Sequence, residues 1–224
     1  MKDVFDFYKT KVHEVMRHEQ TETVINVLEK EFDFDYVEVI ETGASSGNYD
    51  NFGIFLGKLT ESKNGIYHSI DINSDYVESS KKMFEEVLPN LNIKHYVNDS
   101  VTFLKEYSGR ANIIHLDSFD LDLYNPLSSM LHGWLEFEAI KDKVPVGTIC
   151  IFDDNWLNGT YIDSVVFIDG KRTEEIKRID ITYTVIGKGA LVYHYVNQRE
   201  TNWKLVGNHY KPGNNIKLIF KKVI

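Results

Sequence analysis

The sequence predicts an α/β fold built on a doubly wound, mostly parallel sheet. Three observations lead there. Five strand-like runs alternate with helical patterns from residue 35 onward, which is the order of βα units in series. The fifth run, VGTICIFDD, is nearly all apolar before its acids, as expected of a strand covered on both faces. The last third changes rhythm to paired strand-like segments around glycine turns, which reads as antiparallel.

Taken in order, residues 3–30 carry Phe5, Tyr8, Val12, Val15, Met16, Val24, Val27 and Leu28 at three- and four-residue steps, predicting a helix. VEVIE is the first strand, followed by a glycine turn and an apolar helical stretch. GIYHSID is the second strand, with Ser74 as the expected N-cap of the next helix. NIKHYV is the third, Ser100 to Glu106 a short helix, and ANIIHLD the fourth strand. Residues 126–143 form a helix expected to bury Leu127, Met130, Leu131, Trp134 and Leu135. Residues 179–196 read as a hairpin around Gly-Lys-Gly, and a second hairpin is expected around Pro212 and Gly213. The organisation is one domain over 1–224: an N-terminal helical segment (1–34), a core (35–196) and a C-terminal β extension (197–224).

Bulk properties narrow the function. A chain of 224 residues can enclose one full core. The N-terminus is polar and helical, unlike a signal peptide, and no stretch approaches the roughly 18 apolar residues of a membrane span. One cysteine, Cys150, excludes an internal disulfide and fits a reducing cytoplasm; its apolar neighbours make it a core residue. A net charge of -9 opposes a surface that tracks phosphates, so nucleic acid is not the expected substrate. His13 and His18 stand five residues apart, on different helix faces, and read as solvated surface.

In open parallel sheets ligands bind beyond the carboxyl ends of the strands. After strand one stands Glu41-Thr42-Gly43-Ala44-Ser45-Ser46-Gly47, whose glycines permit a sharp turn and close approach of a ligand to the backbone. After strand two stands Asp71, whose two oxygens match the cis-diol of a ribose. After strand three, Asn98-Asp99-Ser100 offers either a partner for an adenine amine or a helix cap. Gly43 and Asp71 are 28 positions apart and the G-x-G-x-x-G pattern is missing, which disfavours a dinucleotide.

These stations together resemble the class I S-adenosylmethionine-dependent methyltransferases, over roughly residues 35–196. The resemblance implies a Rossmann-like core ending in an antiparallel hairpin (179–196), with Glu41, Gly43, Ala44, Ser45, Gly47, Asp71, Asp99, Ser100 and Asp117 at the cofactor. The loop departs from many members in carrying Asn48 where they have a further glycine.

Strand four ends at Asp117 and strand five at Asp153-Asp154. If the strands are neighbours, about 4.8 Å apart, three carboxylates converge there, and they repel unless protonated or bridged by a cation. Mg²⁺ would relieve the repulsion and leave positions open for substrate oxygens. The arrangement is similar to the metal-dependent small-molecule O-methyltransferases, in particular those acting on sugar hydroxyls, which carry D-x-D-x-Y and an Asp-Asp pair. Asp120-Leu121-Asp122-Leu123-Tyr124 reproduces the first spacing, two or three residues beyond the strand end at Asp117, and Asp153-Asp154 matches the second. That resemblance implies Asp117, Asp153 and Asp154 as ligands of a divalent ion, with Asp117, Asp120 or Asp122 as the base that deprotonates an acceptor hydroxyl. Capping aspartates lining a metal-free polar cleft are the plainer alternative. His115 and Trp156 lie beside these acids as helpers or packing residues. The rival classes are an NAD or nucleotide-sugar enzyme and a non-catalytic relative. The N-terminal helix and C-terminal hairpin are packing surfaces or the contacts of a homo-oligomer.

Overall fold

Five strands run parallel in the spatial order β3 (Ile93–Val97), β2 (Ile66–Asp71), β1 (Glu38–Thr42), β4 (Ile113–Leu116) and β5 (Ile149–Leu157). The sheet continues with β10 (Ile216–Lys222), antiparallel to β5, and β9 (Trp203–Asn208), antiparallel to β10. A short strand, β8 (Val185–Gly187), pairs with the far end of β5. This computed structural model describes residues 1–33, 35–44, 51–122, 125–157, 161–168, 171–180, 184–198, 201–208 and 216–224.

Alternation along each central strand divides the interior in two. Val39, Ile113, Ile149, Ile151 and Ile219 point to one face. They meet α1 (Lys2–Lys11), α2 (Val15–Glu31), α3 (Phe52–Ser62) and α4 (Ser74–Val87) through Tyr8, Leu28, Phe55 and Phe84. Ile40, Ile114, Cys150, Phe152, Leu218 and Phe220 point to the other face. There they meet α5 (Ser100–Glu106), α6 (Leu127–Ile140) and α7 (Ala190–Gln198) through Leu104, Phe137 and Val192. Helices on both faces of a largely parallel sheet are the architecture that the sequence predicts. Cys150 is buried, as expected of it. Among the described residues no helix is long and apolar enough to cross a membrane.

Several expectations are corrected. The N-terminal helix is two helices: Val12 adopts an extended backbone, becomes fully buried, and has its carbonyl capped by His18 Nε2 at 2.6 Å. His18 is therefore a half-buried structural group rather than surface. The segment from 190 is helix α7, not a strand, although its alternating Val and Tyr residues favour β structure. Gly187 (φ +121) turns the chain, and Asn155 Oδ1 accepts from Gly189 N at 2.7 Å, launching the helix. The antiparallel end of the sheet is accordingly the hairpin β9–β10, inside the segment expected as an extension; its Pro212-Gly213 turn lies outside the described residues. On α6 the buried face is Ser129, Gly133, Glu136, Phe137 and Ile140, while Leu127, Leu131 and Leu135 are exposed.

A two-stranded ribbon, β6 (Tyr161–Ile168) with β7 (Lys171–Asp180), adds to the expected elements. Its signal is the pair Asp169-Gly170 between two strand-like runs, a strong hairpin mark. Asn73, not Ser74, caps α4, accepting from Asp75 N at 2.9 Å.

Helix α6 lies so close to β8 that a Cβ on Gly133 would stand 2.2 Å from the Lys188 carbonyl oxygen. Glycine to alanine inside a helix ordinarily stabilises by about 1 kcal/mol. Here overpacking reverses the sign: Gly133→Ala is expected to destabilise by about 1–3 kcal/mol, read as a lower urea midpoint with an unchanged slope.

Candidate active site

A cavity of about 810 Å³ opens at the carboxyl ends of β1, β2, β4 and β5, within the size range of small-ligand clefts. It lies where the strand order reverses between β1 and β4, the position at which open α/β sheets bind ligands. Among its lining residues are Gly43, Ala44, Asp71, Asp99, Ser100, Asp117, Asp120, Asp153 and Asp154.

Gly43 (φ +82) sits where β1 meets the end of β4; a Cβ there would lie 2.6 Å from the Asp117 carbonyl oxygen, so only glycine fits. Gly43 N donates to the Ile70 carbonyl at 2.9 Å, and the Asp71 carboxylate accepts from the backbone N–H groups of Asn73, Ala44 and Ile72. The glycine turn and Asp71 are thus one hydrogen-bonded unit. Burial raises the Asp71 pKa, those N–H groups oppose the rise, and the charge of Asp120 adds to it. Ser45 and Gly47 lie outside the described residues.

At the opposite wall Asp99 caps α5, accepting from Thr102 N at 2.8 Å, yet still lines the cavity. Ser100 joins a network that no sequence pattern marks. Ser118 Oγ donates to Glu136 Oε1 at 2.7 Å, and so accepts from His132 Nε2 at 2.9 Å; Ser100 Oγ is 3.1 Å from the same nitrogen. The Glu136 carboxylate raises the His132 pKa against the effect of burial. Phe119, in a left-handed conformation (φ +65), stacks on the His132 ring at 5.2 Å. Phe119, Ile72 and Tyr76 are exposed apolar side chains that line the same cavity.

β5 does not end at Asp153-Asp154 as expected but runs on to Leu157, because Asn155–Leu157 pair with β8. Even so, the Asp117 carboxylate just beyond β4 and those of Asp153 and Asp154, where the pairing of β5 with β4 stops, converge. Lys188 Nζ donates to Asp117 Oδ1 at 2.6 Å and to the Asp117 carbonyl at 2.8 Å, and stands 3.0 Å from Asp154 Oδ2. Lys217 Nζ pairs with Asp153 Oδ2 and lies 4.4 Å from the centre of the Phe52 ring. His115 donates from Nδ1 to Glu41 Oε1 at 3.1 Å and has Nε2 3.6 Å from Asp153 Oδ2. Both lysines are 1% exposed. Burial opposes the charge on Lys188, but Asp117 and Asp154 more than offset it and hold its pKa above the ordinary lysine value. Burial pushes the Asp117 carboxyl up to about 6, with Lys188 opposing and Asp153 reinforcing the rise. Asp153 moves the other way: Lys217 and His115 outweigh its burial and hold it well below the usual carboxylate range.

This geometry changes several of the expected roles. Glu41 is 1% exposed and does not line the cavity; it holds His115 from beneath. Asp120 lines the cavity, whereas Asp122 is exposed and lies outside its lining; Leu123 and Tyr124 are not described. The metal expectation on Asp117, Asp153 and Asp154 fails the fit. His115, Asp117 and Asp153 offer atoms within 4.8 Å of one another, a set without Asp154. A dication among them would stand against two ammonium groups already bonded to the same carboxylates. The bridging cations demanded by three close acids are Lys188 and Lys217. The sequence singles out neither of them, nor Arg17 and His132, which line the cavity.

No protein-family profile matches the sequence, and no curated protein does. Solved structures do. The chain superposes on a Streptococcus mutans protein described as a methyltransferase, in complex with S-adenosylhomocysteine, with a TM-score of 0.58 at 10% identity over 91% of this chain and 98% of that one. An O-methyltransferase from Bacillus cereus, also with S-adenosylhomocysteine, gives 0.55 at 14% identity over 92% and 80%. An rRNA methylase from Streptococcus thermophilus gives 0.55 at 12% identity over 92% and 97%. The fold is that of the class I methyltransferases.

Removing one partner of a buried ion pair leaves the other charge uncompensated. Lys188→Met is therefore expected to destabilise the protein by about 3–5 kcal/mol, measured by urea denaturation. Lys188→Arg, which keeps the charge, is expected to lose less.

Proposed function

We propose that this chain is an S-adenosylmethionine-dependent methyltransferase that methylates a hydroxyl of a small molecule, with lysine ammonium groups standing where related sites use a metal. The observation that carries the reading is the union of Gly43, Ala44 and Asp71 by backbone hydrogen bonds, directly beside Asp117, in one cavity. The residues fit the adenosyl group. Asp71 suits the ribose diol, Asp99 and Ser100 stand at the adenine side, and Ile72, Tyr76 and Phe119 offer apolar surface to a flat base. Six aspartates on the cavity wall suit a cation.

S-Adenosylmethionine, when bound, supplies a methyl group already activated by its sulfonium, so the protein's task is mainly positioning. Asp117 takes the proton of the acceptor hydroxyl. Roughly a third of its side chain faces the cavity, and Lys188 holds it in place. The fixed charges of Lys188 and Lys217 keep Asp117, Asp153 and Asp154 together without an added cation. The same acid wall disfavours a polyphosphate acceptor, which supports a small molecule over RNA.

Calorimetry tests the cofactor. S-Adenosylhomocysteine is expected to bind and NAD is not, and Asp71→Ala is expected to weaken the former at least about tenfold, equivalent to about 1.4 kcal/mol. Binding is expected to be unchanged by EDTA; dependence on Mg²⁺ would contradict the lysine reading. A base whose pKa is about 6 is protonated below that value and active above it. Methyl transfer is therefore expected to rise as pH increases through about 6, and Asp117→Asn to abolish that limb of the profile.

A further inference from the structure

The cavity's charges are unevenly matched to the molecule proposed to fill it. Asp71, Asp99, Asp117, Asp120, Asp153 and Asp154 all line it, and among the described residues the one cationic side chain on the wall at its β5 end is Arg17. The two lysines sit behind the aspartates, outside the lining, and are spent on them. His132 is at the adenine side, with its Nε2 engaged by Ser118 and Ser100.

Arg17 belongs to the first turn of α2, just after the break at Val12–Glu14, and its side chain lines the cavity. Its one described ion partner is Glu14, 3.5 Å from Nε, and its side chain is 30% exposed. Among the described residues its guanidinium makes no hydrogen bond, and Nε is buried without a hydrogen-bond partner. Asp153 and Asp117 are near enough to act on its charge, but each already has its own lysine. A guanidinium presents paired donors in a fixed fork that matches a carboxylate.

S-Adenosylmethionine carries two positive groups and one carboxylate. Six aspartates welcome the first two and repel the third. We propose that Arg17 binds the carboxylate of the cofactor's amino-acid tail, making the N-terminal helices part of the cofactor site. The inference rests on the cofactor reading above and adds to it the end at which the tail must lie.

The test is calorimetry on wild type, Arg17→Ala and Arg17→Gln with two ligands. One is S-adenosylhomocysteine. The other is S-adenosyl-3-thiopropylamine, which keeps the adenosine, sulfur and amine but lacks the carboxylate. Charge-assisted hydrogen bonds of this kind predict that both variants lose roughly 10- to 100-fold in affinity for S-adenosylhomocysteine. Binding of the decarboxylated ligand is expected to stay within about twofold of wild type. Equal losses for both ligands would mean that Arg17 shapes the site without touching the carboxylate, and would overturn the proposal. So would unchanged affinity for both, including the case in which only the acceptor's KM rises. If wild type fails to bind S-adenosylhomocysteine at all, the cofactor reading itself falls, a result distinct from either.

Discussion

Lys188 reaches from the β8–α7 corner to the end of β4, 71 residues earlier, and binds both the carbonyl and the carboxylate of Asp117 while standing 3.0 Å from Asp154. Much of the site's geometry follows from that ammonium. Without it the Asp117 and Asp154 carboxylates, on neighbouring chain segments, would repel across a few ångströms of low-dielectric space. With it they are fixed relative to each other and to Gly43, whose Cα packs on the same Asp117 carbonyl. Lys217 does the equivalent for Asp153, and His115 links that acid to Glu41 in the floor of β1. The row Glu41, His115, Asp153, Lys217 alternates in sign when the histidine is protonated, and its two acid neighbours raise the His115 pKa against burial.

The same corner carries backbone strain. Asp154 has φ +51, an uncommon conformation for a residue with a side chain, in a strand whose register against β10 shifts at this point. Gly187, opposite, has φ +121, and a Cβ there would stand 2.0 Å from the Asp154 carbonyl oxygen. Each unusual backbone accommodates the other. Asn155, fully buried, locks the arrangement by donating to the carbonyls of Phe152 and Asp153 and accepting from Gly189. Strain of this kind persists only where surrounding contacts over-determine it. Here it turns two successive side chains, Asp153 and Asp154, toward one cavity, where an undistorted strand would send them to opposite faces.

What the sequence alone discloses follows a physical divide. Gly43, Asp71, Asp99, Ser100 and Asp117 stand at or just beyond strand ends, and strand ends in a parallel sheet are predictable from local periodicity. Asp153 and Asp154 stand where β5 leaves its parallel partner β4, although the strand itself continues to Leu157. Glu41 is displaced by one structural level from its expected place, because alternation on β1 sends it under the sheet rather than to the rim. The lysines leave no trace in the sequence because their partners lie 64 and 71 residues away, and no local pattern distinguishes a buried lysine from a surface one. Three converging carboxylates do announce that a cation is required. They cannot announce whether it is an ion or a side chain. Helix α7 departs from expectation for the reverse reason: its local preference is for strand, and the Gly189–Asn155 bond overrides it.

The two halves of the site therefore differ in origin. The parallel half, β1 to β4, places a glycine turn and Asp71 by backbone hydrogen bonding alone, an arrangement that any chain with this topology and those two residues can reach. The β5 end draws on distant parts of the sequence: Lys188 from the corner before α7, Lys217 from β10, and Arg17 from α2. Charges brought together from three segments can be ordered only when the whole sheet is closed, so the β5 end of the cavity is coupled to the antiparallel edge and to the N-terminal helices in a way the β1–β2 end is not. A substitution in β9 or β10 that leaves the parallel strands intact would loosen Lys217 first, then Asp153 and His115, before Asp71 felt any change.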